Sequence, residues 1–154
     1  MLKAKYLVVY LLLIAVFGCK KENEGFSGSE EEQIEAFIKS KKIVVTEKTA
    51  SGLRYVRNTA GPATNSLLKK GQTINVNYSG KLLNDEKFDS GNFSFVLGAG
   101  RVVGGFDEGI SKMKVGEKAT IIFPSSLGYG SQGAGNDIPP NAPLVFDIEV
   151  VSAK

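Results

Sequence analysis

The chain has 154 residues, which is enough for one ordinary domain with short extensions. Its 42% hydrophobic and 23% charged residues are typical of a folded globular domain, and its 18 glycines and 5 prolines favour a fold rich in strands and turns. A formal net charge of +3 gives no reason to expect a nucleic-acid partner. Because the sequence contains no histidine, catalysis by a Ser-His-Asp or Cys-His relay is excluded.

The first 18 residues have the pattern of a secretory signal. Two early lysines precede the apolar run Tyr6–Phe17, and the small residue Gly18 stands before Cys19. The run is shorter than the about 20 residues that a membrane-spanning helix needs. Its ending resembles the lipobox of bacterial lipoproteins, which implies removal of residues 1–18 and acylation of Cys19. An uncleaved anchor helix with an incidental cysteine is the alternative.

Residues 19–50 are predicted to form a lipidated tether followed by a short amphipathic helix. The segment 20–29 is polar and lacks an apolar period, as flexible tethers do. Ser29 and Glu32 have the spacing of a capping box. One apolar stripe follows, formed by Ile34, Phe37 and Ile38. A lone helix of this length is marginal in water, so the stripe must pack on its own domain, on a second copy or on a partner. The first two are favoured, and the second would make the helix a site of self-association.

From residue 51 the apolar period changes to the alternation that is typical of strands. The alternating positions are, in chain order, Leu53 and Tyr55; Ile74, Val76 and Tyr78; Phe93, Phe95 and Leu97; Ala119, Ile121 and Phe123; and Leu144, Phe146, Ile148 and Val150. Over Gly105–Met113 the spacing is instead helical. These patterns predict an α+β domain over residues 51–154, in which a curved antiparallel sheet, a half-barrel, wraps one short helix.

The connection between Phe123 and Leu144 has no period of its own. Connections of this length are usually functional or disordered. Tyr129, Ile138 and several prolines supply apolar and stiff elements, which favour an ordered binding loop. Aromatic side chains also face inward from four different predicted elements, at Tyr78, Phe93, Phe106 and Phe146. Taken one at a time, each of these is more simply explained as ordinary core.

The order and local context of several sequence blocks resemble the FKBP family over residues 51–154. The blocks are Asn77-Tyr78-Ser79-Gly80, Lys87-Phe88-Asp89-Ser90, Leu97-Gly98, Val102-Val103, Gly105-Phe106-Asp107-Glu108-Gly109, Tyr129-Gly130, Ile138-Pro139-Pro140 and Leu144-Val145-Phe146-Asp147. The resemblance implies a peptidyl-prolyl cis-trans isomerase whose substrates are proline-containing polypeptides. Rotation about a peptide bond makes and breaks no covalent bond, so the expected enzyme needs neither a cofactor nor a metal.

The resemblance also implies which residues form the site. The residues expected to act in catalysis are Tyr78, Phe88, Asp89, Val103, Phe106 and Tyr129, and those expected to bind substrate are Phe93, Val102, Ile138 and Phe146. Phe106 takes the place of a tryptophan on the pocket floor of many relatives. The Val103 N–H and the Tyr129 hydroxyl are expected to donate hydrogen bonds to substrate carbonyls. Asp89 is expected at the rim, close to the rotating amide, and a turn-capping role is its alternative.

Three departures from the family pattern bear on substrate preference. The segment after Asp89 is short and lacks the basic partner of that aspartate, Ala134 stands where some relatives have histidine, and Asp137 replaces an apolar residue. Two other functions remain open: a module or chaperone that binds proline segments without significant catalysis, and a structural lipoprotein that kept the fold. The signal and lipobox predict a lipid-anchored protein of the bacterial cell envelope, facing the periplasm or the surface, whose clients are exported proteins.

Overall fold

The computed structural model describes residues 26–154, so the predicted signal peptide, Cys19 and most of the predicted tether lie outside the described residues. In chain order the main elements are α1 (Glu30–Ser40), β1 (Glu47–Lys48), β2 (Arg54–Thr59), β3 (Thr73–Leu82), β4 (Lys87–Val96), α2 (Gly104–Ser111), β5 (Lys118–Phe123) and β6 (Leu144–Ala153). Two short 3-10 helices, Ser125–Leu127 and Gly130–Gln132, lie between β5 and β6. None of the helices in this part of the chain is long and apolar enough to cross a membrane.

All six strands belong to one antiparallel sheet with the order β1-β2-β5-β6-β3-β4. The predicted alternation is visible in burial, because Ile74 and Val76 are fully buried while Thr73 and Asn77 are exposed. The α+β class with an antiparallel sheet is therefore confirmed. The two-residue strand β1, which pairs with β2, was not predicted.

Helix α2 packs against one face of the sheet, and two glycines allow its close approach. A Cβ atom at Gly105 would lie 2.5 Å from the Phe123 ring, and one at Gly109 would lie 2.7 Å from Ile121. The helix ends at Ser111, two residues before the predicted end. Met113 is nevertheless fully buried, so its predicted place in the core is correct although it lies beyond the helix.

Helix α1 packs against the opposite face of the sheet. The predicted capping box is present: the Ser29 hydroxyl accepts a hydrogen bond from the Glu32 N–H at 3.3 Å, and the Glu32 carboxylate accepts one from the Ser29 N–H at 2.7 Å. The apolar stripe of α1 packs against three sheet residues, two within strands and one directly after a strand. The residues in this second core are Ile34, Phe37, Ile38, Leu83, Ile122 and Val145.

The position of α1 decides between the three predicted ways of covering its stripe. The stripe packs on the chain's own sheet, so Ile34, Phe37 and Ile38 are not available for self-association while the helix is docked. Residues 30–48 are thereby part of the same packed unit as residues 51–154. The molecule has three layers, α2, the sheet and α1, where the sequence analysis predicted one helix on a sheet with a second helix preceding it.

A buried arginine joins α1 to the sheet. Arg54 on β2 is 1% exposed, and its guanidinium donates hydrogen bonds to the carboxylates of Glu31 and Glu35 on α1, the second at 2.6 Å. The hydrogen bonds from Lys48 and Arg54 hold the pKa of Glu31 below its usual range. Burying a guanidinium is costly unless carboxylates are paired with it, so α1 and Arg54 depend on each other.

Candidate functional site

A pocket of about 740 Å³ opens on the α2 side of the sheet. The structure places all ten predicted site residues in its lining: Tyr78, Phe88, Asp89, Phe93, Val102, Val103, Phe106, Tyr129, Ile138 and Phe146. The remaining lining residues are Gly100, Arg101, Ala134, Gly135 and Asp137. The predicted residues are thus brought together from β3, β4, α2, β6 and two loops, and the role assigned to each stays a prediction.

The floor of the pocket is a cluster of perpendicular aromatic rings. The centroids of the Phe106 and Phe146 rings lie 5.1 Å apart with their planes at 75°, and those of Tyr78 and Phe93 lie 5.2 Å apart at 78°. Edge-to-face contacts of this kind stabilise aromatic clusters beyond the area that they bury. Phe106 and Phe146 are almost completely buried, whereas Tyr78 and Phe93 are partly exposed towards the opening. These packed rings give the pocket floor an apolar surface that the ring of a bound side chain can contact.

A β-bulge brings two consecutive residues of β4 to the pocket. Gly80 of β3 is opposite Asp89, and Lys81 is opposite Lys87, so Phe88 is the extra residue in β4. In a regular strand Phe88 and Asp89 would point to opposite faces. The bulge instead lets both line the pocket, which is a common use of bulges beside functional sites. Gly80 makes room for this arrangement, because a Cβ atom there would lie 2.6 Å from Phe88 and 2.7 Å from Phe146.

Asp89 is hydrogen-bonded to the aromatic wall. Its Oδ2 accepts a hydrogen bond from the Tyr78 hydroxyl at 2.6 Å, and its Oδ1 accepts one from the Ser90 N–H at 2.8 Å. The hydrogen bond to the Asp89 carboxylate, followed by burial, raises the pKa of Tyr78 to about 12. Asp89 lies inside β4, so the alternative of a turn-capping aspartate does not describe its position. Among the described residues it forms no ion pair, which agrees with the missing basic partner.

Two hydrogen-bond donors at the pocket are left without acceptors. Neither the N–H of Val103, which precedes α2, nor the hydroxyl of Tyr129 has a hydrogen-bond acceptor within residues 26–154. Tyr129 is 40% exposed. Both donors thus lie at the pocket, and their predicted hydrogen bonds to substrate carbonyls stay a prediction.

The pocket loop, residues 124–143, carries Tyr129 and Ile138 and is ordered by its own hydrogen bonds. The Ala134 N–H donates to the Ile138 carbonyl at 2.9 Å, and the Ile138 N–H donates to the Ala134 carbonyl at 3.1 Å. The Asn141 N–H donates to the Gly130 carbonyl at 2.8 Å. The loop is thus ordered, as predicted, and lies over one side of the pocket with Ile138 buried and Tyr129 exposed. Its role in binding stays a prediction.

Arg101 is a pocket residue that the sequence analysis did not identify. It immediately precedes the predicted pair Val102-Val103, and its side chain is exposed. The other two arginines, Arg54 and Arg57, both form ion pairs, whereas Arg101 has no carboxylate partner within residues 26–154. A charged residue beside two predicted pocket residues, in a loop rather than a strand, was the available signal. Asp137, noted only as a departure, also lines the pocket and has no ion-pair partner among the described residues.

These features limit the chemistry of the site. Within residues 26–154, no group of three or more cysteine, aspartate or glutamate side chains is placed to hold a metal ion. The pocket offers aromatic surfaces, two donors without acceptors among the described residues, the hydrogen-bonded carboxylate of Asp89, and the charged side chains of Arg101 and Asp137. Such a site is suited to holding an apolar ring and the amide groups next to it, and to changing their conformation.

Comparisons with known proteins point to one family. The family model of the FKBP-type peptidyl-prolyl cis-trans isomerase matches residues 64–151. The chain is 48% identical over 88 residues to FK506-binding protein 2 of Dictyostelium discoideum, a match that covers 54% of this chain and 66% of that relative. It is 45% identical over 87 residues to an FK506-binding protein of Neisseria meningitidis, covering 53% of this chain and 80% of that relative.

A solved structure shares both the fold and part of the sequence. The crystal structure of FkpA from Escherichia coli aligns with a TM-score of 0.70 and 33% sequence identity. The alignment covers 82% of this chain, whereas the chain spans 59% of FkpA. The match therefore extends beyond residues 64–151 on this chain.

Proposed function

This chain belongs to the family of FKBP-type peptidyl-prolyl cis-trans isomerases, and from that membership we propose that it assists the folding of exported polypeptides while an acylated Cys19 holds it at a membrane. The observation that carries the isomerase part is the aromatic pocket with two free hydrogen-bond donors at its edge. The anchor is supported by the sequence pattern at residues 1–19.

The reaction requires a lower barrier to rotation and no covalent step. Amide resonance gives a barrier of about 18–20 kcal/mol, and bonds before proline turn in tens to hundreds of seconds without a catalyst. The planar amide is more dipolar than the twisted one, so an apolar pocket disfavours the starting state relative to the transition state. A rate gain of about 10⁶-fold requires roughly 8 kcal/mol of such differential stabilisation.

Each part of the pocket has a place in this mechanism. Phe106 and Phe146 receive the proline ring on the pocket floor, where water is excluded. The Val103 N–H and the Tyr129 hydroxyl bind the carbonyls on either side of the rotating bond and fix the chain while the amide turns. Asp89 holds the Tyr78 phenol in place by accepting its hydrogen bond, and the Asp89 carboxylate places negative charge near the rotating amide. Donors that bind the twisted amide better than the planar one add to catalysis.

A refolding experiment tests the catalytic part of the proposal. The full chain, purified in detergent, is added in catalytic amounts to a protein whose refolding is limited by one prolyl bond. We expect the slow phase to accelerate in proportion to the enzyme concentration. If the slow phase keeps its rate while the yield of folded protein rises, the chain is a binding chaperone instead of an isomerase.

The anchor is tested by moving the cysteine. Cys19→Ser is expected to abolish acylation and to shift the protein from the detergent phase to the aqueous phase, because the apolar leader is too short to span a membrane well. Cys19→Ser/Ser27→Cys restores the thiol eight positions further on, outside the lipobox, and serves as the matched control. Acylation of Ser27→Cys in that double variant, or an unmodified Cys19 in the wild type, would contradict the lipobox interpretation.

A further inference from the structure

The start of the pocket loop is held by α1, the helix on the opposite face of the sheet. Ser125 is 4% exposed, and both of its donors bind the carboxylate of Glu30, the first residue of α1. The Ser125 N–H donates to Glu30 Oε2 at 2.6 Å, and the Ser125 hydroxyl donates to Glu30 Oε1 at 2.8 Å. Hydrogen bonds to an ionised carboxylate are roughly twice as strong as neutral ones.

This contact supplies what the loop itself lacks. Ser125 begins the 3-10 helix Ser125–Leu127, and the first N–H groups of a helix have no acceptor within it. Pro124 precedes this helix and contributes no side-chain cap. Glu30, which lies 95 positions earlier in the sequence, therefore caps this short helix by accepting the hydrogen bond of the Ser125 N–H. Leu127, at the other end of the same short helix, packs against the core on the α2 side.

Helix α1 is a fixed support for this contact. Its apolar stripe is buried on the sheet, and its carboxylates at Glu31 and Glu35 are paired with the buried Arg54. The position of Ser125 is thereby set relative to the sheet. Tyr129 follows four residues later. It is 40% exposed, and its hydroxyl has no hydrogen-bond acceptor among the described residues, so the loop backbone that carries it sets its place over the pocket.

We propose that Glu30 is a positioning residue for the isomerase reaction: by holding Ser125, it sets the place of Tyr129 over the pocket and so couples the N-terminal helix to substrate binding. The inference rests on the proposed isomerase activity. It assigns to α1, which lies outside the residues matched by the family model, a part in the function of the pocket.

Glu30→Ala in the full chain tests the proposal, with Glu32→Ala as the matched control. Both variants remove one carboxylate from the first turn of α1, but Glu32 is hydrogen-bonded to Ser29, whereas Glu30 contacts the pocket loop. At a temperature where every variant is folded, we expect kcat/KM of Glu30→Ala for a proline peptide to fall by about 3- to 10-fold, and that of Glu32→Ala to stay within about 2-fold. Glu30→Gln keeps an oxygen for the Ser125 N–H and should recover part of the loss.

Two further measurements separate positioning from simple stabilisation. If Glu30 acts through Tyr129, then Glu30→Ala should lower kcat/KM only slightly further in a Tyr129→Phe background. Both substitutions would remove the same contribution of the Tyr129 hydroxyl, so their effects would not add. Hydrogen exchange of residues 126–138 should be faster in Glu30→Ala than in Glu32→Ala, with β5 and β6 unchanged.

Other outcomes would overturn the proposal. An unchanged kcat/KM in folded Glu30→Ala, with lowered stability as the only effect, reduces Glu30 to a structural cap. Fully additive losses with Tyr129→Phe exclude the route through Tyr129. If the wild type shows no isomerase activity, the proposed function fails, and unchanged hydrogen exchange in the loop of Glu30→Ala then refutes the positioning role separately.

Discussion

The hydrogen bond between Tyr78 and Asp89 sets the charge state of the pocket wall. Because the phenol donates to a carboxylate, ionising it would place two negative charges side by side, and the pKa of Tyr78 is raised from 10.0 to about 12. A raised pKa in the folded state means that this contribution to stability is complete below pH 10 and is lost as the pH rises through about 12. Tyr78 is therefore a neutral donor throughout the physiological range.

Replacing Asp89 by asparagine should lower the pKa of Tyr78 towards its ordinary value. The amide accepts a hydrogen bond but carries no charge, so the penalty for ionising the phenol falls. An ultraviolet or NMR titration of the tyrosines measures the change, with Asp137→Asn as a control that removes a pocket carboxylate other than the one that accepts the Tyr78 hydrogen bond. A Tyr78 titration that is the same in Asp89→Asn and the wild type would contradict the assigned hydrogen bond.

Tyr129→Phe should affect the reaction and leave the fold intact. The hydroxyl has no acceptor within residues 26–154 and the residue is 40% exposed, so the free energy of unfolding should stay within about 0.5 kcal/mol of the wild type. One lost neutral hydrogen bond to substrate should lower kcat/KM by about 2- to 10-fold. Denaturant unfolding and a peptide isomerisation assay measure the two quantities. Unfolding of the variant, with the rate of its folded fraction untouched, would show that Tyr129 is a core residue.

The charges of Arg101 and Asp137, which have no ion-pair partner within residues 26–154, should influence which substrates are preferred. Arg101→Ala is expected to lower kcat/KM by about 2- to 5-fold for peptides with a glutamate near the proline and to leave alanine peptides unchanged, since exposed ion pairs contribute only about 0.2–1 kcal/mol. Asp137→Asn should lower it for lysine peptides instead. Equal effects of Arg101→Ala on glutamate, alanine and lysine peptides would show that the arginine does not bind substrate charge.

At this scale the sequence identified the pocket residues through a family resemblance more than through a physical pattern. Alternation predicts that Phe88 and Asp89 point to opposite faces, and only the bulge opposite Gly80 brings both to the pocket. That bulge depends on pairing between β3 and β4, which no local pattern specifies. Arg101 was missed for a related reason: exposed loop residues have no periodicity from which their direction can be inferred.

At the scale of elements, α1 shows what a local pattern can and cannot predict. Its capping box and apolar stripe are local features, and both are confirmed. The surface that receives the stripe is made by Leu83, Ile122 and Val145, which come from three separate parts of the chain. The stripe indicates that a partner surface must exist but does not identify it. The pairing of Arg54 with two glutamates of α1 could not be predicted for the same reason.

Truncating the α1 stripe should destabilise the whole domain. Phe37 is almost completely buried, so Phe37→Ala is expected to lower the free energy of unfolding by about 3–5 kcal/mol. Val44→Ala, at a side chain that is 82% exposed, is the matched control and should change it by less than about 0.5 kcal/mol. Urea unfolding followed by circular dichroism gives both values. A small effect of Phe37→Ala would show that α1 is only loosely attached to the sheet.

For the whole molecule, the layered arrangement separates attachment from activity. The pocket lies on the α2 side of the sheet, and α1, the element nearest the proposed anchor in the sequence, lies on the other side. A domain held through its N-terminus would therefore leave the pocket open to long polypeptides. The contact between Glu30 and Ser125 is the point at which the two sides meet at the pocket loop.

The central claim is that this aromatic pocket lowers the barrier to rotation about a prolyl bond, and exchange NMR on a short proline peptide tests it most directly. Without a catalyst, cis and trans forms interconvert in tens to hundreds of seconds. With a catalytic amount of the full chain, the exchange rate should rise in proportion to enzyme concentration, while the cis-to-trans ratio stays unchanged. Shifted signals of pocket residues, with an exchange rate equal to that of the free peptide, would contradict catalysis and leave a binding module.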